Sequence, residues 1–463
     1  MKKKYACALY IFRRDLRIED NTALIQASLD AELVIPCFII DPRQVGEMNR
    51  YRSLNALQFM RESLISLDEQ IRKSGGRLYV MQGHPEEILL SLLQAVPVSA
   101  LYVNRDYTPF SIRRDEELKK ICYHHNVEYN QFNDCLLTEP EDIVSLSGTP
   151  YAIFTPFFKR ASQVHIAEPD NTRVTNWYTK QISGTVRSIQ KAFEAYDNQL
   201  LHVHGNHDDA RAILSGLKYF SHYVKTHDYP AIGTTNLSAY NKFGLVSIRQ
   251  VYNTLHKTLG PATPIIRQLF WRDFFTHIAY TSPFVFGQPF NPKYKNLEWK
   301  NDQSKFQAWS EGRTGFPIID AGMRQLNMTG YMHNRVRLLA ASFLVKDLHI
   351  DWRLGELYFA QHLVDYDPAV NNGNWQWIAS TGTDAQPYFR IFNPWLQQKK
   401  FDSNCEYIKQ WVPELRNMKP QDIHTWFKVP LDRAKVYVHP IVDHAVESRL
   451  TRLLYKQAVG KSN

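Results

Sequence analysis

Apolar residues in the first third of the chain gather in short runs at 6–12, 33–40, 78–81 and 100–103, with a weaker run at 127–132. Runs of that length, rich in β-branched and aromatic residues, predict strands. Between them the apolar spacing changes to three and four. Leu54, Leu57, Met60, Leu64, Leu67 and Ile71 fall on one helical face, and Gly75-Gly76 ends the pattern where a helix terminates. Strand–helix alternation predicts a doubly wound parallel sheet covered by helices, an α/β N-terminal domain over residues 1–135. The first strand leads into Arg13-Arg14-Asp15-Leu16-Arg17, so the G-x-G-x-x-G dinucleotide fingerprint is absent.

The periodicity fades from about Glu139 to Leu201, which predicts a connector over 136–204. Beyond it the pattern is helical, giving an all-α domain over 205–463. Asn206 is placed to cap a helix with Asp208 and Asp209 in its first turn. Further helices are predicted at 265–280, 317–327, 334–350 and 355–364. Leu338 to Val345 is almost continuously apolar, so that helix should be central.

Composition adds a partner class. A formal charge of +9, with 13% aromatic residues and ten Trp, favours nucleic acid or a planar cofactor. The five cysteines are scattered without a C-x-x-C pair, and no stretch is long and apolar enough to cross a bilayer. Lys2 to Lys4 precede an apolar run too short for a signal peptide. A cytoplasmic location is expected, close to the nucleoid in a bacterium.

The densest chemical signal runs from Asp365-Tyr366-Asp367-Pro368 through Asn371-Asn372-Gly373-Asn374-Trp375-Gln376-Trp377 to Tyr388-Phe389-Arg390. An ordinary core does not mix so many acids and amides with large rings, because buried polar groups need partners. On a helix Trp375 and Trp377 point to different sides. A second cluster is Met332-His333-Asn334-Arg335-Val336-Arg337, where Arg337 can pair with Asp365 or Asp367 while Arg335 faces elsewhere. A third is Arg267-Gln268-Leu269-Phe270-Trp271-Arg272-Asp273, with Gln268, Trp271 and Arg272 on one face. A fourth, Gly233-Thr234-Thr235-Asn236-Leu237-Ser238, is a hydroxyl-rich turn suited to phosphate. His202, His204 and His207 with Asp208 and Asp209 form a polar helix entry, and no metal is expected there.

Together these segments, with Phe12-Arg13-Arg14-Asp15-Leu16-Arg17 near the start, resemble the DNA photolyase/cryptochrome family, above all class I cyclobutane pyrimidine dimer photolyases. The resemblance implies an α/β domain, a linker and a helical domain holding FAD, reduced in the active form. It implies that Tyr223, Thr234, Thr235, Leu237, Ser238 and Arg272 bind the FAD phosphates and ribityl arm, and that Asn334, Arg337, Asp365, Asp367 and Asn371 surround the isoalloxazine. Trp271 and Trp377 would wall a flipped-out dimer, and Arg335 and Arg390 would touch the DNA backbone. Trp375, Trp352 and Trp299 match the family's electron-carrying tryptophan chain. Light-driven repair of cyclobutane dimers in damaged DNA, by a monomer, is the activity it implies. Its rivals are a cryptochrome-like photoreceptor and a (6-4) photolyase. Photoreceptors of that kind often carry a long C-terminal extension, and this sequence stops at Asn463 soon after its last helical pattern.

Three positions depart from the pattern. Gln268 stands where cyclobutane dimer photolyases usually carry Glu. Leu338 stands where a Met often meets substrate, yet neither Asn334 nor Leu338 is the histidine that (6-4) enzymes use. Phe110 and Ser111 replace the Asn-Glu pair of a folate antenna, which leaves a deazaflavin, a second flavin or an empty antenna site open.

Overall fold

A computed structural model describes residues 3–193, 196–430 and 435–460. The five apolar runs are the strands β1 (Tyr5–Phe12), β2 (Ala31–Ile40), β3 (Tyr79–Gln82), β4 (Ala100–Asn104) and β5 (Glu128–Phe132). All pair in parallel, in the order β3-β2-β1-β4-β5. The chain winds outward from β1 to β3, then returns to lay β4 and β5 on the other side. Ile11, Leu9 and Cys7 on one strand and Leu101 and Val103 on another are buried, as strands covered on both faces require. The edge strand β5 is only half covered, which explains its weaker apolar signal.

A doubly wound sheet reverses order beside β1, at the place where such folds bind ligands over glycine-rich turns. Here a carboxylate organises that turn. Asp15 accepts hydrogen bonds from the Arg13 backbone N–H (2.6 Å), the Tyr10 hydroxyl (2.6 Å) and Asn104 Nδ2 (2.7 Å). Arg17 then forms an ion pair with Asp134 at 2.6 Å, both side chains buried. The turn is built from side chains, so it needs none of the fingerprint glycines.

Residues 139–201 carry more structure than a plain connector. A helix spans Phe154–Ala161, with Phe154, Phe157 and Ala161 buried at positions i, i+3 and i+7. The short apolar repeat was readable, but a helix of about two turns is easily lost among polar neighbours. Asn206 caps the His207–Ser215 helix by accepting from the Asp208 N–H, with Asp208 and Asp209 in its first turn.

The chain divides into two compact units that are not contiguous in sequence. One gathers Met1–Asn198, Val203–Ser221 and Thr235–Pro283; the other gathers Gln199–His202, His222–Thr234 and Phe284–Asn463. The first holds the sheet, the Phe154–Ala161 helix and the Pro264–Thr281 helix. The second is helical around a core from the Pro317–Thr329, Asn334–Ser342, Trp352–His362 and Pro368–Ala379 helices, with Trp309 and Trp352 fully buried.

The single helix expected over 334–350 is corrected in one respect. It leaves α geometry after Ser342 and continues as a π turn over Phe343–Asp347, closed by the Leu348 N–H on the Phe343 carbonyl at 3.0 Å. A π turn inserts one extra residue and rotates the side chains that follow. Lys346 is thereby buried, with Nζ donating to Ser380 Oγ at 3.0 Å and lying 3.7 Å from the Tyr455 ring centre. Burial holds its amine well below the usual lysine range.

Candidate functional site

In the helical unit the chemistry gathers at the start of the Asn334–Ser342 helix. His333 caps it, Nδ1 accepting from the Arg335 N–H at 3.2 Å. The ring is therefore neutral with its proton on Nε2, a buried donor with no protein partner. Burial and the neighbouring Arg337 push its pKa down to about 4. Arg337 donates from Nε to the Met332 carbonyl (2.7 Å) and from both terminal nitrogens to Asp365 (3.1 and 2.9 Å). Such a fork fixes orientation as well as charge. The Tyr331 ring lies 5.3 Å from the guanidinium, and its hydroxyl is 3.4 Å from Thr234 Oγ1.

The other acid of the pair has a different task. Asp367 caps the Pro368–Ala379 helix, accepting from the Ala369 and Val370 N–H groups at 3.0 and 3.2 Å. Arg335 faces away from Arg337 and binds Asp228 at 2.5 Å, with the Phe401 ring 4.7 Å below it. Asn334 and Arg390 are exposed.

On the Pro368–Ala379 helix, Asn371 donates Nδ2 to the Glu356 carbonyl at 3.0 Å, which leaves its amide oxygen to accept on the other side. Asn372 donates to the Glu356 carboxyl and the Val285 carbonyl, both at 3.0 Å. Trp375 is buried, its ring 4.9 Å from Phe359 and 6.3 Å from Trp309. Trp377, two residues on, is half-buried on another side. Trp352 is fully buried and Trp299 half-buried, 6.5 Å from Tyr455.

Burial raises the Glu356 pKa from 4.5 to about 7. The folded state then holds a proton that the unfolded chain releases. The contribution to stability is full below about pH 4.5 and is lost as pH rises through 7. Glu356→Gln keeps an oxygen for Asn372 and removes the titration. It should raise stability above pH 7 by up to about 3 kcal/mol and flatten the pH profile between those limits. Urea midpoints across that range check this; parallel profiles for both proteins would show that Glu356 does not titrate there.

The sheet unit contributes the Pro264–Thr281 helix. Gln268 is exposed, one turn before the half-buried Trp271. Trp271 stacks on Phe154, ring centres 3.7 Å apart and planes 5° apart. Arg272 donates to the Cys135 carbonyl at 2.7 Å. Asp273 accepts from the Leu137 and Thr138 N–H groups, both at 2.9 Å, and burial raises its pKa to about 7. Asn236 takes left-handed φ of 54° to start the Leu237–Phe243 helix and makes no side-chain cap; Leu237 is buried and Ser238 exposed. Thr235 belongs to this unit, whereas Tyr223 and Thr234 belong to the helical one. In the antenna region Ser111 Oγ donates to Asp106 at 2.9 Å and the Arg43 guanidinium lies over the Phe110 ring at 5.2 Å.

The three histidines of the helix entry are engaged separately. His202 stacks on Tyr331, His204 meets Glu62 at 3.2 Å, and His207 binds Ser66 and the Leu16 carbonyl. Among the described residues no group of three or more His, Cys, Asp or Glu could hold a metal ion. The sequence motifs leave out Tyr331 and Glu356 and name His333 only within its cluster, without a role. Only His333 had a signal, its place one residue before the predicted helix start.

These residues suit a reduced flavin. A fixed guanidinium complements an anionic ring, the Asn371 oxygen can accept from a ring N–H, and buried His333 has a donor to spare. Family comparison agrees. The model for the FAD binding domain of DNA photolyase matches residues 265–457, and the DNA photolyase model matches residues 8–174. A deoxyribodipyrimidine photo-lyase of Alkalihalophilus pseudofirmus is 36% identical over 96% of this chain and 97% of its own. An archaeal photolyase from Sulfolobus tokodaii, solved with two FAD molecules, is 43% identical, with a TM-score of 0.87 over 97% of this chain and 100% of its own. A Synechocystis cryptochrome is 26% identical, with a TM-score of 0.84 over 98% of this chain and 100% of its own. With matches to both domain models and homology along nearly its whole length, the chain belongs to the DNA photolyase family.

Proposed function

We propose that this protein repairs cyclobutane pyrimidine dimers in DNA under blue light. When bound, reduced FAD supplies the photoexcited electron that splits the dimer. The chain's residues bind, orient and exclude water. Asn334, Arg337, Asp365, Asp367 and Asn371 hold the isoalloxazine. Tyr223, Thr234, Thr235, Leu237, Ser238 and Arg272 take the phosphates and ribityl arm. Trp271 and Trp377 stack on the extruded dimer, returning about 1–3 kcal/mol per base against the cost of extrusion. Arg390 meets DNA phosphate, as does Arg335 with part of its charge already committed to Asp228. Trp299, Trp352 and Trp375 relay electrons that keep the flavin reduced. The Sulfolobus tokodaii neighbour favours a second flavin as antenna.

One observation carries the choice of lesion. Repair of (6-4) products needs an acid–base histidine pair, and positions 334 and 338 hold an exposed Asn and a Leu packed on the apolar core. The adjacent His333 is committed to capping the helix, and burial lowers its pKa, which makes it a poor proton donor.

Gln268 can donate a hydrogen bond to a thymine carbonyl but cannot change charge. Wild type should therefore repair cyclobutane dimers, and Gln268→Glu should match or exceed its yield without gaining (6-4) repair. Yield per absorbed photon, measured for both proteins on both lesions, tests this. A wild type active only on (6-4) products would overturn the lesion assignment. Inactivity on both lesions, with normal flavin photoreduction, would assign a photoreceptor.

A further inference from the structure

The Phe154–Ala161 helix lies in the segment that reads as connector, yet it meets the Trp271 ring directly. Phe154 is fully buried, and its pairing with Trp271 is the closest and most nearly parallel among the ring pairs of the described residues. Two rings placed face to face at 3.7 Å do not choose that arrangement themselves, because their quadrupoles favour offset or edge-on contact. The surroundings impose it. Phe158 stacks beside Phe154 with planes 17° apart, Phe274 meets Phe154 edge-on at 5.7 Å, and the Arg267 guanidinium lies 4.9 Å from Phe154 and 5.0 Å from Phe158. A cation against these rings draws on their electron-rich faces and favours the column.

From this column we infer that Phe154 is a positioning residue for lesion recognition, fixing the plane of Trp271 so that its opposite face is presented to the extruded dimer. The inference rests on the reading of Trp271 as a dimer wall. A half-exposed Trp on a helix can change rotamer, and a ring that must be ordered on binding loses affinity. With one face covered by Phe154, Trp271 is held before substrate arrives. Phe274 meets Trp271 edge-on at 5.6 Å and Phe275 lies 5.4 Å away with its plane tilted by 31°, yet Trp271 keeps part of its surface open.

The test uses full-length protein with FAD bound, a duplex carrying one thymine cyclobutane dimer and the same duplex undamaged. The dissociation constant for the undamaged duplex divided by that for the dimer duplex measures discrimination. Phe154→Leu should lower that ratio about tenfold, the scale of one lost base stack. Yield per photon at saturating DNA and flavin photoreduction should stay at wild-type values, which a general loss of structure would not allow. Trp271→Ala should lower the ratio at least as far, and Phe154→Leu added to it should do nothing more. Phe154→Met, which keeps volume without a ring, repeats the measurement should Leu fold poorly. Wild-type discrimination in Phe154→Leu and Phe154→Met, with loss in Trp271→Ala, would overturn the inference and leave the dimer wall standing. Full discrimination in Trp271→Ala would overturn the wall and the inference together.

Discussion

Arg337→Leu should yield protein with little or no flavin and markedly reduced stability. The Asp365 side chain is only 4% exposed and its charge is met by both terminal nitrogens of Arg337. Removing one partner of such a pair leaves a buried charge uncompensated, which costs about 3–5 kcal/mol. The reverse change, Asp365→Asn, should cost less, because the Arg337 side chain is 24% exposed and can reach water. This asymmetry separates the ion pair from simple packing. The double variant Arg337→Leu with Asp365→Leu should recover much of the stability, since apolar replacements of buried pairs are often neutral. It should not recover flavin, because the fixed positive charge proposed to face the ring is gone. Visible flavin absorption per chain and urea midpoints give the two readings. Full flavin content in Arg337→Leu would remove this pair from the cofactor site.

How far the sequence reaches follows from which physical signal each element carries. The inner strands were legible because strands buried on both faces must be continuously apolar, β5 only weakly because it is an edge, and the parallel pairing followed from the helices between them. The Arg337–Asp365 pairing was legible as one of two options; the choice was not, because Asp367 is recruited to cap a helix whose start depends on Pro368. The π turn after Ser342 left no trace, because it opens inside the almost continuously apolar stretch 338–345, where no polar periodicity marks a change of helix type. Tyr331 and Glu356 were hidden for a different reason. Each lies one contact removed from a residue that the motifs name, and their roles arise from tertiary contacts that no local pattern records. Trp271 was singled out as an aromatic sharing a face with Gln268 and Arg272, but its partner Phe154 sits over a hundred residues earlier in a segment with little periodicity.

Gly355→Ala should destabilise the protein and slow flavin photoreduction, although alanine is the better helix former. Gly355 lies inside the Trp352–His362 helix, where replacing glycine by alanine in open space gains about 0.5–1 kcal/mol. Here a Cβ would stand 2.2 Å from Trp375 Cη2, 2.5 Å from Trp375 Cζ3 and 2.5 Å from Leu344 Cδ2. None of these can retreat easily. Trp375 is wedged against Phe359 and Trp309, and Leu344 is fully buried within the π turn. Overpacking of this kind costs about 1–3 kcal/mol or more, which outweighs the helical gain. The strain falls on the contact between the helices that carry Trp352 and Trp375, so displacing Trp375 alters the spacing of two proposed relay rings. Photoreduction of oxidised flavin should slow, whereas repair by chemically reduced enzyme should change little, since that step does not use the relay. Urea midpoints and light-driven flavin bleaching, measured side by side, distinguish the outcomes. A stabilised variant with normal photoreduction would show that the helices separate freely at Gly355 and that their close approach is not what sets the relay.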